Sequence, residues 1–266
     1  MDEKPQIDPR NKLNALTGRQ WIRFTKSWFI VDGKPSDISH EIDLHPASFP
    51  PSMIREFIEF FTKPGDNVLD PFVGTGSTLV ACDECGRKGV GIELYDKYVK
   101  TARSRTNLPV HQGDAREIIQ TFETNGRKFA LCITSPPYWR ILKKKKDYNQ
   151  QERLQKGLDL QYGEHPKDLG MIEEQKPFLL ELISFFKHIK AHLRERGHLV
   201  IFIQNIRDKG EINPLAFNLA LNLIEDYKFL GERIWLQNQK TLRPYGYPYS
   251  FVPNIHHHYA LIFQKR

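Results

Sequence analysis

The stretch KPGDNVLDPFVGTGSTLVACDECGRKGVGIEL, residues 63–94, decides the fold. It opens with turn residues, Lys63-Pro64-Gly65, and passes into a short apolar run ending at Asp70. A compact turn carrying Gly74 and Gly76 follows, then a helical segment, GSTLVACDEC, stopped by Gly86. A second strand, KGVGIEL, ends the stretch near Glu93. Strand, helix and strand at this spacing make a parallel βαβ unit.

Working outward, the pattern repeats. YDKYVKTARSRT reads as a helix, LPVHQGDA as a third strand, REIIQTF as a short helix and KFALCITS as a fourth strand. Upstream, a helix is predicted from about Pro51 to Thr62, while QWIRFTKSWFIVDG reads as a strand pair or an arm. Downstream, PFLLELISFFKHIKAHLRERG is predicted as one long amphipathic helix closed by Gly197. HLVIFIQNI is a strand, NPLAFNLALNLIEDYKF a helix with Pro214 near its start, and GERIWLQN and HHYALIFQK two last strands. With no helix signal between them, the final strand is expected to run antiparallel to its neighbours. The expectation is a single α/β domain over residues 1–266, with an open, mostly parallel sheet of about seven strands and helices on both faces. Residues 1–44 form an N-terminal arm. Residues 141–176, polar and without a clear period, form an insertion of a length that usually carries function.

The 266 residues carry a formal charge of +7, which favours an acidic partner, nucleic acid before membrane. No apolar run spans a bilayer, and MDEKPQIDPR lacks a signal-peptide core. Three unevenly placed cysteines fit reduced thiols in a cytoplasmic setting. Cys82 and Cys85 read as two thiols a helical turn apart, since a thioredoxin-like context is missing.

In open sheets of this kind ligands bind beyond the carboxyl ends of the strands, which lines up Asp70, Glu93, Asp114 and Ser135 along one edge. The glycine turn fails the dinucleotide fingerprint, because Leu79 stands where a third glycine belongs, and no Gly-Lys-Ser/Thr follows for a P-loop. What remains is a helix N-terminus that takes a carboxylate and an acid suited to a cation. S-adenosylmethionine carries both kinds of group. Glu93 is placed to accept from ribose hydroxyls, and Asp114 or its neighbouring backbone to read the adenine amino group. Any one of these acids is explained by a cap or turn role. Three in succession at three strand ends point to a ligand.

With Ser135-Pro136-Pro137-Tyr138 after the fourth strand, the chain resembles the S-adenosylmethionine-dependent amino-methyltransferases of nucleic acids, and in particular the N4-cytosine DNA methyltransferases, whose catalytic tetrapeptide is Ser-Pro-Pro-Tyr. DPFVGTGST resembles that family's cofactor loop, GIEL its ribose-binding segment and HPASFP, residues 45–50, a further cofactor motif in which an aromatic packs near the adenine. The resemblance covers most of residues 40–265. It implies a Rossmann-like methyltransferase fold and S-adenosylmethionine as cofactor. It implies cofactor contacts from His45, Pro46, Ala47, Phe49, Asp70, Phe72, Gly74, Thr75, Gly76, Thr78, Glu93, Leu94, Asp114 and Ala115, and catalysis by Ser135, Pro136, Pro137 and Tyr138. A cognate restriction endonuclease is a partner that the resemblance raises; the oligomeric state stays open.

The chemistry follows from the tetrapeptide. The exocyclic amine of cytosine is a poor nucleophile, its lone pair delocalised into the ring. The Ser135 hydroxyl and the Pro136 carbonyl are acceptors that turn it toward tetrahedral geometry, and the prolines add no competing N–H. Tyr138, with Trp139 alongside, offers a face on which a flipped base stacks. C5 methylation needs a cysteine after a proline, and none of Cys82, Cys85 or Cys132 follows one. N6 of adenine ranks low, since that chemistry usually shows Asp or Asn where Ser135 stands.

Lys143, Lys144, Lys145 and Lys146, just past the tetrapeptide, and Arg243 in TLRPYGYPYSF are candidate nucleic-acid contacts. His256, His257 and His258 alternate faces in a strand, so no metal site is expected; NIHHHYALIF resembles the family's last motif, near the target base. No block is large enough for a separate target-recognition domain. That absence favours structured RNA, the rival polymer; the resemblance and the basic loop favour DNA, the substrate read here, and cofactor-dependent nucleic-acid binding without catalysis is the rival class.

Overall fold

The computed structural model describes residues 6–31, 49–122, 126, 128–139, 163, 165–208, 210–238 and 240–266. Ten strands are described: β1 Trp28–Ile30, β2 Asn67–Asp70, β3 Lys88–Glu93, β4 Val110–Gln112, β5 Phe129–Thr134, β6 Leu193–Ile203, β7 Ile206–Asp208, β8 Glu211–Asn213, β9 Tyr227–Leu236 and β10 His257–Lys265. The helices are α1 Gly18–Phe24, α2 Pro51–Phe61, α3 Ser77–Glu84, α4 Asp96–Arg105, α5 Ala115–Thr121, α6 Gln175–His192 and α7 Leu215–Leu223, with a 3₁₀ turn at Leu169–Met171.

Eight strands form one sheet in the order β1-β9-β10-β6-β5-β2-β3-β4. The run from β6 to β4 is parallel, and β10 is antiparallel to both β6 and β9. This is the expected α/β, Rossmann-like architecture with an antiparallel last strand. From β2 the chain builds outward through β3 and β4, then returns to lay β5 on the other side of β2. That reversal opens a crevice beyond the carboxyl ends of β2 and β5, where Asp70 and Ser135 emerge.

Both faces of the sheet are covered, so the central strands are apolar throughout. Leu131 and Ile133 of β5 pack with Val200 and Phe202 of β6 under α2. Cys132, between them, points with Leu199 and Ile201 into the layer under α6 and α7. Phe57 and Ile58 of α2 and Phe178 and Phe186 of α6 are fully buried. Each contributes about 1.5–3 kcal/mol by leaving water.

The structure departs from expectation in four places. Residues 18–30 form neither a strand pair nor a free arm. Thr17 and Gln20 close a capping box that starts α1, Phe24 stacks on Phe60 at 4.0 Å, and β1 joins the sheet edge as an eighth strand parallel to β9. The long helix ends at His192 rather than Gly197, and Arg-Glu-Arg-Gly enters β6. The entry is irregular: Arg196 has φ 60, and a Cβ on Gly197 would sit 2.8 Å from the Arg194 carbonyl oxygen. A short hairpin, β7–β8, turning at Gly210, was not anticipated. Residues 165–171, expected within a polar insertion, fold back against the crevice. No helix among the described residues is long and apolar enough to cross a membrane. All three cysteines are free thiols.

Candidate active site

The glycine turn is held by both strands that flank it. Gly74 and Gly76 have φ 53 and 89, left-handed values that glycine adopts without strain. A Cβ on Gly76 would lie 3.1 Å from Ala102 of α4, and one on Gly91 would lie 2.9 Å from Val73. The turn therefore sits as deep as its neighbours allow. The Gly74 N–H donates to Glu93 Oε2 at 3.0 Å, and the Tyr95 N–H to Glu93 Oε1 at 2.9 Å.

Asp70 is buried and accepts three hydrogen bonds: from Thr134 Oγ1 at 2.6 Å, Thr78 Oγ1 at 2.5 Å and the Phe72 N–H at 3.1 Å. It fastens β2, α3 and β5 together. Burial pushes its carboxyl up to about 6 despite those donors, and pushes Glu93 up to about 7. Asp114 caps α5, accepting from the Arg116 N–H at 2.9 Å, and pairs with the Arg116 guanidinium at 2.7 Å. The cap role is thus realised here, beside the cleft.

A cleft of about 100 Å³ lies between these groups and β5. Its walls bring together Phe49, Asp70, Phe72, Gly74, Thr75, Thr78, Glu93, Leu94, Asp114, Ala115, Ser135 and Pro137, all expected from the sequence. Gly76, Pro136 and Tyr138 stand behind that surface. Arg243 lies away from it, on the β9–β10 loop. His45, Pro46 and Ala47, and Lys143 to Lys146, fall outside the described residues.

Residues 2–104 match the family N6_N4_Mtase, DNA methylase. The Type II methyltransferase M.XycI of Xanthomonas campestris pv. cyanopsidis is 48% identical over 61 residues, 23% of this chain and 20% of that protein. M.MjaI of Methanocaldococcus jannaschii is 40% identical over 98 residues, 36% of this chain and 31% of that protein. Over this part the chain is similar to N6/N4 DNA methylases. Its matched part spans about a fifth to a third of the curated relatives. Among solved structures, a methyltransferase from Pyrococcus furiosus overlays with a TM-score of 0.44 at 17% identity, covering 84% of this chain and 88% of that one.

S-adenosylmethionine, the cofactor that the sequence resemblance implies, fits the residues present. Ser77 Oγ is buried in the cleft wall and has no hydrogen-bond partner among the described residues. It stands at the first turn of α3, next to the glycine turn, where a carboxylate is favoured. The buried carboxyls of Asp70 and Glu93 line the same cleft and, once ionised, suit a cation and hydroxyl donors.

Tyr138 and Trp139 are each 7% exposed. The Trp139 Nε1–H donates to the Glu173 carbonyl at 3.3 Å, and its ring belongs to the core. The Tyr138 hydroxyl lies 3.0 Å from His258 Nδ1 and accepts from Ser135 Oγ at 3.4 Å. Both rings are buried rather than open. Burial pushes Tyr138 up to about 12 and His258 down to about 3, so both are neutral, with the phenol suited to donate to Nδ1. His258 also stacks on Trp235 at 5.2 Å, while the neighbouring His257 reaches Tyr259 Oη at 3.0 Å on the opposite face. No metal-binding cluster occurs among the described residues.

Sequence reasoning missed one wall of the cleft. Lys167, Asp168 and Leu169 line it, and Asp168 Oδ2 accepts from Tyr95 Oη at 2.8 Å. The Asp168 Oδ1 also accepts from the Gly170 N–H at 2.7 Å, capping the 3₁₀ turn. The Asp-x-Gly cap was readable as a turn, but nothing local tied it to Tyr95.

Proposed function

We propose that this chain transfers a methyl group from S-adenosylmethionine to the exocyclic N4 of cytosine in DNA. One observation carries the reading: Ser135 and Pro137 open onto the same cleft as the glycine turn and Glu93. A base amine presented to Ser135 would therefore face the cofactor's end of the cleft.

In this reading Glu93 accepts from the ribose hydroxyls, Phe49 and Leu94 flank the adenine, and Ser77 with the α3 N-terminus holds the amino-acid carboxylate. When bound, the cofactor supplies an electrophilic methyl on a sulfonium. The Ser135 hydroxyl accepts from the amine and strengthens that bond as positive charge grows on nitrogen. The Pro136 carbonyl does the same from a fixed direction. Tyr138, held by His258, fixes the Ser135 rotamer. The basic chain supplies attraction to phosphate, with Arg243 and the run Lys143 to Lys146 as contacts.

The test is incubation with isotopically labelled S-adenosylmethionine and separate DNA and RNA pools, followed by mass spectrometry of the nucleosides. Labelled N4-methylcytosine in the DNA digest is expected. N6-methyladenine would overturn the atom, and N4-methylcytidine in RNA alone would overturn the polymer. No labelled nucleoside in either pool would overturn the activity.

A further inference from the structure

The β9–β10 loop, residues 237–256, carries large apolar rings in solvent. Tyr247, Tyr249 and Phe251 are 81%, 93% and 92% exposed. A single exposed ring is ordinary, but three on alternate residues of one loop are not.

The loop is built to hold them out. At its base the Asn254 side chain bridges the Arg243 backbone, accepting from the N–H and donating to the carbonyl, both at 2.9 Å. The Arg207 guanidinium lies 3.7 Å over the Tyr245 ring and donates to the Pro253 carbonyl at 3.2 Å. At the tip the Tyr249 and Ser250 N–H groups both donate to the Gly246 carbonyl, at 2.7 and 2.8 Å. Gly246 has φ 77, and a Cβ there would run into the Ser250 carbonyl oxygen. The turn is thus fixed by backbone bonds that leave the rings without packing duties.

Its position matters as much as its order. Since β9 and β6 are both antiparallel to β10, β9 ends at the same sheet edge as β5. The loop rises from that edge, and its return leg delivers His258 to Tyr138. Two residues past the loop, His258 meets Tyr138, so the loop rises from the same end of the sheet as Ser135.

We propose that Tyr247, Tyr249 and Phe251 are a base-stacking tip that takes unstacked bases of the DNA strand carrying the target nucleotide. The inference rests on the DNA substrate proposed above. Every base has a π-face, so exposed rings bind unstacked bases whatever the sequence, and the arginines at the loop base place charge beside the phosphates. A duplex hides those faces, so the tip acts where the strand has opened around a flipped base.

Fluorescence anisotropy with a labelled mixed-sequence DNA, single-stranded and as a duplex, tests this on the full chain. Stacking contributes roughly 5- to 150-fold per base. Replacing all three rings (Tyr247→Ala, Tyr249→Ala, Phe251→Ala) should weaken single-strand binding at least about tenfold and duplex binding less, with the salt slope unchanged. The conservative pair Tyr247→Phe and Tyr249→Phe should bind as wild type. An unchanged single-strand affinity in the alanine variant overturns the proposal, as does a loss accompanied by a flatter salt slope, which would mean a disturbed charge surface. If wild type methylates DNA and the alanine variant still binds single strands normally, the stacking tip fails alone. A wild-type chain that neither binds nor methylates DNA overturns the functional reading with it.

Discussion

One wall of the cleft is assembled from near neighbours. Asp70 accepts from Thr78, eight residues on, and Gly74 donates to Glu93, nineteen on. The facing wall is assembled from afar: Tyr138 meets His258 across 120 residues, and Tyr95 meets Asp168 across 73. The first wall shapes a small-molecule site with glycines and buried carboxyls. The second positions one hydroxyl at the mouth. A wall made of local contacts is written as a motif, whereas one made of distant contacts is written as scattered residues.

The comparison breaks first at Ser135. If the far wall acts only in catalysis, Ser135→Ala should lower single-turnover methyl transfer by about 10²–10³-fold. S-adenosylmethionine affinity, measured by calorimetry, should stay within twofold. A matching loss of affinity would mean that the two walls are one site.

Next is Glu93→Gln, on the near wall. The amide keeps the shape but loses the ionised acceptor, worth about 1.5–3 kcal/mol in a charge-assisted bond. The dissociation constant for S-adenosylmethionine should rise about tenfold or more, while the rate at saturating cofactor changes little. The inverse pattern, kcat falling at constant affinity, would move Glu93 to the other wall.

The near wall also sets a pH dependence. Asp70 and Glu93 sit at about 6 and about 7, above ordinary carboxyls, so the folded chain holds their protons more tightly than the unfolded chain. Their burial therefore costs stability progressively as pH rises from about 4 to about 7, and this cost is absent at lower pH. A cationic cofactor favours the ionised forms. Its affinity should rise about tenfold or more between pH 5.5 and 7.5 and then level off, with proton release detectable by titration in buffers of different ionisation enthalpy. A flat profile would show that neither carboxyl meets the ligand's charge.

The smallest effect is expected at His258→Phe. It leaves the buried Tyr138 hydroxyl with only Ser135, a loss of about 1–3 kcal/mol in denaturant stability. Turnover should fall severalfold, and combining it with Tyr138→Phe should add little more. Full additivity would show that the two groups do not act as a pair.

Legibility followed the same division. The βαβ repeat, both glycines of the turn and the three strand-end acids were readable because spacing alone carries them. The roles were less so. Asp114 reads as a ligand-facing acid in the sequence; it lines the cleft and also caps α5, paired with Arg116, two residues away. Trp139 reads as a stacking ring and lies in the core, because α6 and the 3₁₀ turn cover it, and no local pattern announces that cover. The early end of α6 was hidden for a different reason. Leu193-Arg-Glu-Arg continues a plausible helical face, and only pairing with β5 converts it to strand. The capping box at Thr17 is legible as Thr-x-x-Gln, but the aromatic run behind it carries the stronger strand signal.

Asp70 belongs to both walls. Its carboxylate holds Thr78 on the cofactor side and Thr134, the residue before Ser135, on the other. A charge arriving beside it shifts the balance between those two hydroxyls, so loading one side changes how firmly the other is held. Cofactor and nucleic acid should then bind with mutual coupling, each tightening or loosening the other by the same factor, and affinities measured for either alone will not multiply to that of the ternary complex.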